Sequence, residues 1–206
     1  MAFPGDPAAT RESIMPPLAG LRNMIRGQVL LPGDDGYDVE RAGRNRAVEH
    51  RPAMIVVAAD PDDVAAAVRY AASARLPVAV QATGHGASKP ARGALLLATR
   101  RMTGLAIDPG ASVARFGAGV RGGQVLQAAE PYGLAPLVAS TPDIGMAGYV
   151  SSGGLPMLGR RHGFAADHVR ALELVTADGE RRHVTAESHP DLFWAVRGDN
   201  DNFGVI

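Results

Sequence analysis

The chain has 206 residues, with 21 Lys and Arg balanced by 21 Asp and Glu, six His and no Cys. That length suits one large domain or two small lobes, and the even charge gives no electrostatic basis for nucleic acid or an anionic membrane as partner. The lack of cysteine removes disulfides, thiolate metal sites and a cysteine nucleophile.

Residues 1–20 are rich in Pro, Ala and charge and lack the basic start and apolar core of a signal peptide. They read as a flexible tail of a cytoplasmic protein, and no stretch of the chain approaches a membrane span. Residues 21–50 hold one short apolar run, Val29-Leu30-Leu31, and a turn cluster, Pro32 to Gly36, so they read as a mostly irregular lead-in. Met54 to Ala58 then reads as a buried strand. Asp60-Pro61-Asp62-Asp63 has the signature of a helix start, with an N-cap, proline at the first position and acids at the positive helix end. Val64, Ala67, Val68 and Ala71 recur at helical spacing, and the helix should stop before Leu76-Pro77. The apolar run Leu76 to Val80 completes a βαβ unit that ends at Gln81-Ala82-Thr83-Gly84-His85-Gly86-Ala87-Ser88. Glycines around one nucleophilic side chain let backbone N–H groups approach an anion while the side chain faces a ligand. The octapeptide taken alone fits a tight turn with a solvated histidine equally well.

From Ala94 the pattern changes to short strands: Leu95 to Ala98, then Leu105 to Ile107 and Val113 to Phe116 around an Asp108-Pro109-Gly110 turn that predicts an antiparallel hairpin. Gly117-Ala118-Gly119-Val120-Arg121-Gly122 matches G-x-G-x-x-G before a helical stretch, Gln124 to Glu130. A dinucleotide fold would need a second parallel strand ending in an acid about twenty residues on. There the chain has Pro136 and Pro142 instead, so the pattern is read as a decoy. Ser140 to Gly154 and Gly159 to Val169 are dense in glycine and small hydroxyl residues, a composition that lets backbone lie flat against a large planar or phosphorylated ligand. A strand, Ala171 to Thr176, turns at Asp178-Gly179 into a second, Arg181 to Thr185. Ser188 is placed as the cap of a short helix carrying Phe193 and Trp194 as core residues. His50, His162, His168, His183 and His189 show no metal-ligand spacing and read as surface or supporting groups.

The ordered set of these motifs resembles FAD-linked oxidases of the berberine bridge enzyme-like group, within the vanillyl-alcohol oxidase superfamily with its PCMH-type FAD-binding domain. It comprises T-G-H-G after a strand, T-P-D-I-G-x-A-G-Y, S-S-G-G, L-G-R-R-H-G-F-A-A-D-H-V, the A-D-G hairpin, H-P-D-L-F-W-A-V-R-G and N-F-G-V-I, and it covers residues 51–206. The resemblance implies an α+β fold of two lobes with flavin between them, the first holding the βαβ unit and the second the antiparallel strands and glycine-rich segments. It implies that Ala82, Thr83, Gly84, His85, Gly86, Ala87 and Ser88 form the pyrophosphate loop, with His85 the histidine joined covalently to the flavin 8α-methyl group. Thr141, Asp143, Gly145, Gly148, Ser151, Ser152, Gly153 and Gly154 match segments lining the flavin and its phosphates. Asp167, Val169 and Val205 match positions near the ribose or adenine.

Three departures stand out: the family more often has glycine at Thr83, its three-glycine run is here Ser152-Gly153-Gly154, and members with a second covalent link carry cysteine at Thr141. The histidyl link alone is therefore expected. The implied function is hydride transfer from an alcohol, sugar or amine-type carbon to FAD and then to oxygen or another acceptor. The rival is a catalytically silent FAD or nucleotide-binding fragment. No Tyr, His or Glu falls in a family motif for a catalytic base, and the family's substrate domain would follow Ile206. Residues 51–206 are thus expected to form a C-terminally truncated FAD-binding domain, inactive alone, its last strand lacking partners.

Overall fold

The computed structural model describes residues 17–198 and 202–206. Most of the expected N-terminal tail, residues 1–16, lies outside the described residues. The lead-in is irregular over more than half of its length but also carries short regular elements. It forms helix α1 (Leu18–Met24), strand β1 (Gln28–Leu30) and helix α2 (Tyr37–Arg41). Strand β1 pairs antiparallel with β2 (Met54–Val57), Val29 opposite Val56. The fully buried Asp63 carboxylate accepts the backbone N–H groups of Arg26 (2.8 Å), Gly27 (2.9 Å) and Ala59 (2.9 Å). The bonds to Arg26 and Gly27 join residues far apart in sequence, which is why local composition gives no sign of them.

Helix α3 (Pro61–Ala74) starts where the cap signature places it, with the Asp60 side chain accepting from the N–H of Asp62 and Asp63. Strand β3 (Val78–Gln81) follows. The βαβ unit is split, because β4 (Leu95–Ala98) lies between its two strands, parallel to both, in the order β1-β2-β4-β3. The sequence pattern ends the βαβ unit before β4 and groups β4 with the short strands that follow it. Its continuous apolar run is instead that of a central parallel strand covered on both faces. Met54, Val56, Leu95 and Leu97 face the core beneath α3, while Ile55, Val57, Leu96 and Ala98 face a second cluster with Tyr37, Ala91 and Ala94. Each such Val, Leu or Ile contributes about 1.5–3 kcal/mol by burial.

The hairpin β5 (Leu105–Asp108) and β6 (Val113–Phe116) forms as the Asp-Pro-Gly turn requires. Helices α4 (Gly122–Ala129) and α5 (Met146–Ser151) close over it around Val120, Val125, Met146 and Val150. Among the described residues no parallel strand follows α4, so the dinucleotide pattern is structural. A Cβ on Gly117 would lie 2.4 Å from the Met102 carbonyl oxygen, and one on Gly119 2.5 Å from that of Thr99, so these glycines admit close backbone packing.

After a short helix α6 (Gly159–His162), the hairpin β7 (Ala171–Val175) and β8 (Arg181–Thr185) packs with α7 (Pro190–Ala195) around Leu172, Leu174, Val184, Phe193 and Val196. Arg69 of α3 donates to the Gly179 carbonyl at the hairpin turn (2.7 Å), and Arg181 pairs with Asp62. Two details differ from the sequence reading. Phe193 is core but Trp194 is 77% exposed, being on the outer face of α7. The Ser188 hydroxyl bonds to Thr185 and the His183 carbonyl rather than capping α7. Val205 is not left unpaired: its N–H and C=O both bond to Val175 at 2.8 Å, and its side chain joins the core under α3. Among the described residues no helix is long and apolar enough to cross a membrane.

Candidate cofactor site

Strand β3 delivers the loop 82–88 at the edge of the parallel sheet, and Gln81 at its end is buried. Gly84 takes a left-handed backbone (φ +70°), which a side chain resists, and a Cβ there would lie 2.6 Å from the Gly43 Cα. Gly86 differs: its φ is not in that region and nothing lies within 4 Å of a Cβ built on it. The same open space surrounds Gly148, within α5. The fold itself does not require glycine at either position, whereas a ligand resting against the backbone would.

Thr83 links the loop to the second glycine-rich segment. Its hydroxyl oxygen accepts the Gly145 N–H (3.3 Å) and lies 2.9 Å from His85 Nδ1. Thr83 thus places a hydroxyl that orients the histidine ring. A Cβ on the buried Gly145 would meet Ala82 and Thr83 at 3.4 Å, so the two segments are in close contact. Asp143 and Arg121 flank them, 3.7 Å apart and both half-exposed. The His85 pKa is pushed down by burial first and then by the positive charge of Arg44, with a smaller upward pull from Asp143 and the least effect from Arg121, which lowers it further. A neutral imidazole at neutral pH is the nucleophilic form.

The remaining residues named from the sequence serve several purposes. The buried Ser151 hydroxyl donates back to the helix carbonyls of Ala147 (2.8 Å) and Gly148, so it is occupied within α5. Ser152 ends α5, and Gly153 and Gly154 accept the N–H groups of Ala166 and Ala165. Asp167 accepts the Phe164 N–H at the start of its own turn. Val169 packs between the β5–β6 and β7–β8 cores, and Val205 is committed to the α3 core. Thr141 is half-buried just before Asp143. Sequence reasoning missed Gly43, Arg44 and Asn45, which lie against the loop, and Tyr149, whose buried hydroxyl has no hydrogen-bond partner among the described residues. His50, read as a surface or supporting group, is only 5% exposed, its Nδ1 accepting the Ala91 N–H (2.9 Å).

A glycine-lined surface and a histidine whose pKa is lowered fit a large phosphorylated, planar cofactor. The family model described as "FAD binding domain" matches residues 52–185. The chain belongs to that family. FAD is the cofactor of that domain. (R)-6-hydroxynicotine oxidase of Paenarthrobacter nicotinovorans is 36% identical over 185 residues, which are 88% of this chain and 40% of that protein. An FAD-dependent monooxygenase of Fusarium proliferatum is 34% identical over 159 residues, 76% of this chain and 31% of that protein. The crystal structure of 6-hydroxy-D-nicotine oxidase from Arthrobacter nicotinovorans superposes with a TM-score of 0.83 at 35% identity, covering 88% of this chain and 40% of that one. The carbohydrate oxidase from Microdochium nivale gives 0.83 at 25% identity, covering 91% and 41%. A berberine bridge enzyme-like protein of Physcomitrella patens, 22% identical with a TM-score of 0.83, shares the fold over 92% of this chain and 42% of its own. The α+β fold expected from the sequence is therefore the one these structures share. The chain spans 40% or less of the length of the two curated relatives described.

Proposed function

We propose that this chain is the FAD-binding module of an oxidoreductase that oxidises an alcohol, sugar or amine-type carbon. The observation that carries the reading is the joining of loop 82–88 to residues 143–148 through the Thr83 hydroxyl, within a match to the FAD binding domain family. In this reading the backbone of residues 82–88 holds the diphosphate, and Thr141, Asp143, Gly145, Gly148 and residues 151–154 line the flavin and its phosphates. Asp167, Val169 and Val205 belong to the ribose and adenine end, where Asp167 is exposed on a short turn while Val169 and Val205 support that end from the core beneath. When bound, FAD supplies hydride acceptance from carbon and electron transfer to oxygen or another acceptor. His85, held neutral and oriented by Thr83, is the group that attaches the flavin covalently. The names of the relatives, a hydroxynicotine oxidase and a carbohydrate oxidase, support small-molecule amine or sugar substrates.

The test is the absorbance spectrum of the purified chain, followed by acid precipitation. Flavin bands that stay with the precipitate, and leave it in His85→Ala, support both binding and the histidyl bond. Flavin that washes from the wild type removes the bond but keeps the binding. A chain that takes up no added FAD refutes the proposal.

A further inference from the structure

We propose that Arg44 and Asn45 form a clamp that sets the polarity of the His85 loop, aiming its N–H groups at the cofactor's diphosphate, with Asn45 the positioning residue. The inference rests on the FAD-binding reading of this site. Three loop carbonyls are taken by two adjacent residues: the Arg44 N–H donates to Thr83 O (2.9 Å), the Asn45 N–H to Gly84 O (3.2 Å) and the Asn45 side-chain amide to Ala87 O (3.0 Å). The Asn45 amide is fixed at its other end, where its oxygen accepts the Ala47 N–H (3.1 Å).

In a trans peptide the C=O and the following N–H point in opposite directions. No peptide bond among the described residues is cis. With the carbonyls of residues 83, 84 and 87 turned to the clamp, the N–H groups of Gly84, His85 and Ser88 are turned away from it. No acceptor among the described residues takes these three N–H groups. Successive N–H groups facing one way form an anion-binding concavity. The close fit of Gly43 against Gly84 lets the clamp sit this near: a Cβ on Gly43 would lie 3.3 Å from the Gly84 Cα and 2.9 Å from Gln81 Oε1. The clamp is anchored below by α2, where the Glu40 carbonyl accepts from Gln81 Nε2 (3.2 Å) and the buried Glu40 carboxylate pairs with Arg100.

The experiment uses the full chain and FAD as the probe, comparing wild type, Asn45→Ala and Asn45→Gln by flavin titration, thermal melting without FAD and backbone amide NMR. In the wild type, the amide resonances of Gly84, His85 and Ser88 should move when FAD is added. Asn45→Ala should bind FAD at least tenfold more weakly, with those three amides moving less while the rest of the spectrum stays folded, and Asn45→Gln should recover part of the affinity. A wild type that binds FAD with those amides unmoved overturns the clamp, as does an Asn45→Ala that binds as tightly. A wild type that binds no FAD overturns the underlying functional reading as well, which separates the two failures.

Discussion

Two glycines of the cofactor loop, two residues apart, should respond oppositely to the same substitution. At Gly84, alanine must adopt φ +70° and place its Cβ 2.6 Å from the Gly43 Cα, 2.9 Å from Gln81 Oε1 and 3.1 Å from the Arg44 nitrogen. The left-handed backbone costs about 1–2 kcal/mol, and forcing a methyl into a filled space about 1–3 kcal/mol. Two of the three neighbours are backbone atoms, so relief requires parting residues 43–44 from the loop. The sum, roughly 2–5 kcal/mol, is a large fraction of the stability of a typical domain. For a chain of this size it lowers the melting temperature by on the order of 10 °C. At Gly86 the Cβ meets nothing within 4 Å and the backbone is ordinary. Alanine there should leave the melt of the cofactor-free chain within about 0.5 kcal/mol of wild type, or raise it slightly by restricting the unfolded chain. Its cost should appear only in the FAD titration, where the methyl occupies the space the ligand needs. Thermal melting without FAD and flavin fluorescence titration of both variants, run side by side, make the comparison. If Gly86→Ala melts as low as Gly84→Ala, or binds FAD as tightly as wild type, the reasoning from open space fails.

Other perturbations follow from the same packing. Removing Arg100 leaves the Glu40 carboxylate, 5% exposed, without its cation. Because Arg100 itself is partly solvated, Arg100→Ala should cost about 1–3 kcal/mol by chemical denaturation, below the usual loss for a fully buried pair, while Glu40→Gln with Arg100→Ala should recover part of it. Tyr149→Phe removes a buried hydroxyl that has no partner among the described residues. It should melt no lower than wild type without FAD, gaining up to about 1 kcal/mol from the desolvation it no longer suffers, and a clear loss of stability would reveal a hidden partner. Burial pushes the His50 pKa down, helped by the charge of Arg41, and the His85 pKa is lowered as well. A histidine whose folded pKa lies below its unfolded value leaves stability intact above about pH 6.5 and loses it as the pH falls through the folded pKa. Melting temperature should thus fall with acidification in that window. His50→Gln should flatten the fall, since protonation of His50 would otherwise break its bond to the Ala91 N–H, and an unchanged profile would remove His50 from the account.

Features written within a few residues were legible in the sequence. Asp60-Pro61-Asp62-Asp63 specifies a helix start because the cap, the missing proline N–H and the acids all act on the first turn. Asp108-Pro109-Gly110 specifies the β5–β6 hairpin for the same local reason, and the ordered glycine motifs sufficed to place the chain in its family. What required the tertiary structure is everything decided by partners far along the chain. Leu95 to Ala98 reads as an apolar strand, but its place between β2 and β3 is set by having both faces covered. Val29-Leu30 becomes a strand because β2 offers an edge and Asp63 accepts the N–H groups of Arg26 and Gly27. Gly117 and Gly119 resemble a nucleotide signature, yet they are glycines because the carbonyls of Met102 and Thr99 approach within 2.5 Å of where a Cβ would sit. Phe193 and Trp194 are indistinguishable as adjacent aromatics until one face of α7 meets the β7–β8 hairpin. Arg44 and Asn45 carry no motif. They contribute mainly backbone N–H groups, which every non-proline residue has, and only the folding of residues 43–45 against residues 83–87 gives those groups carbonyls to hold.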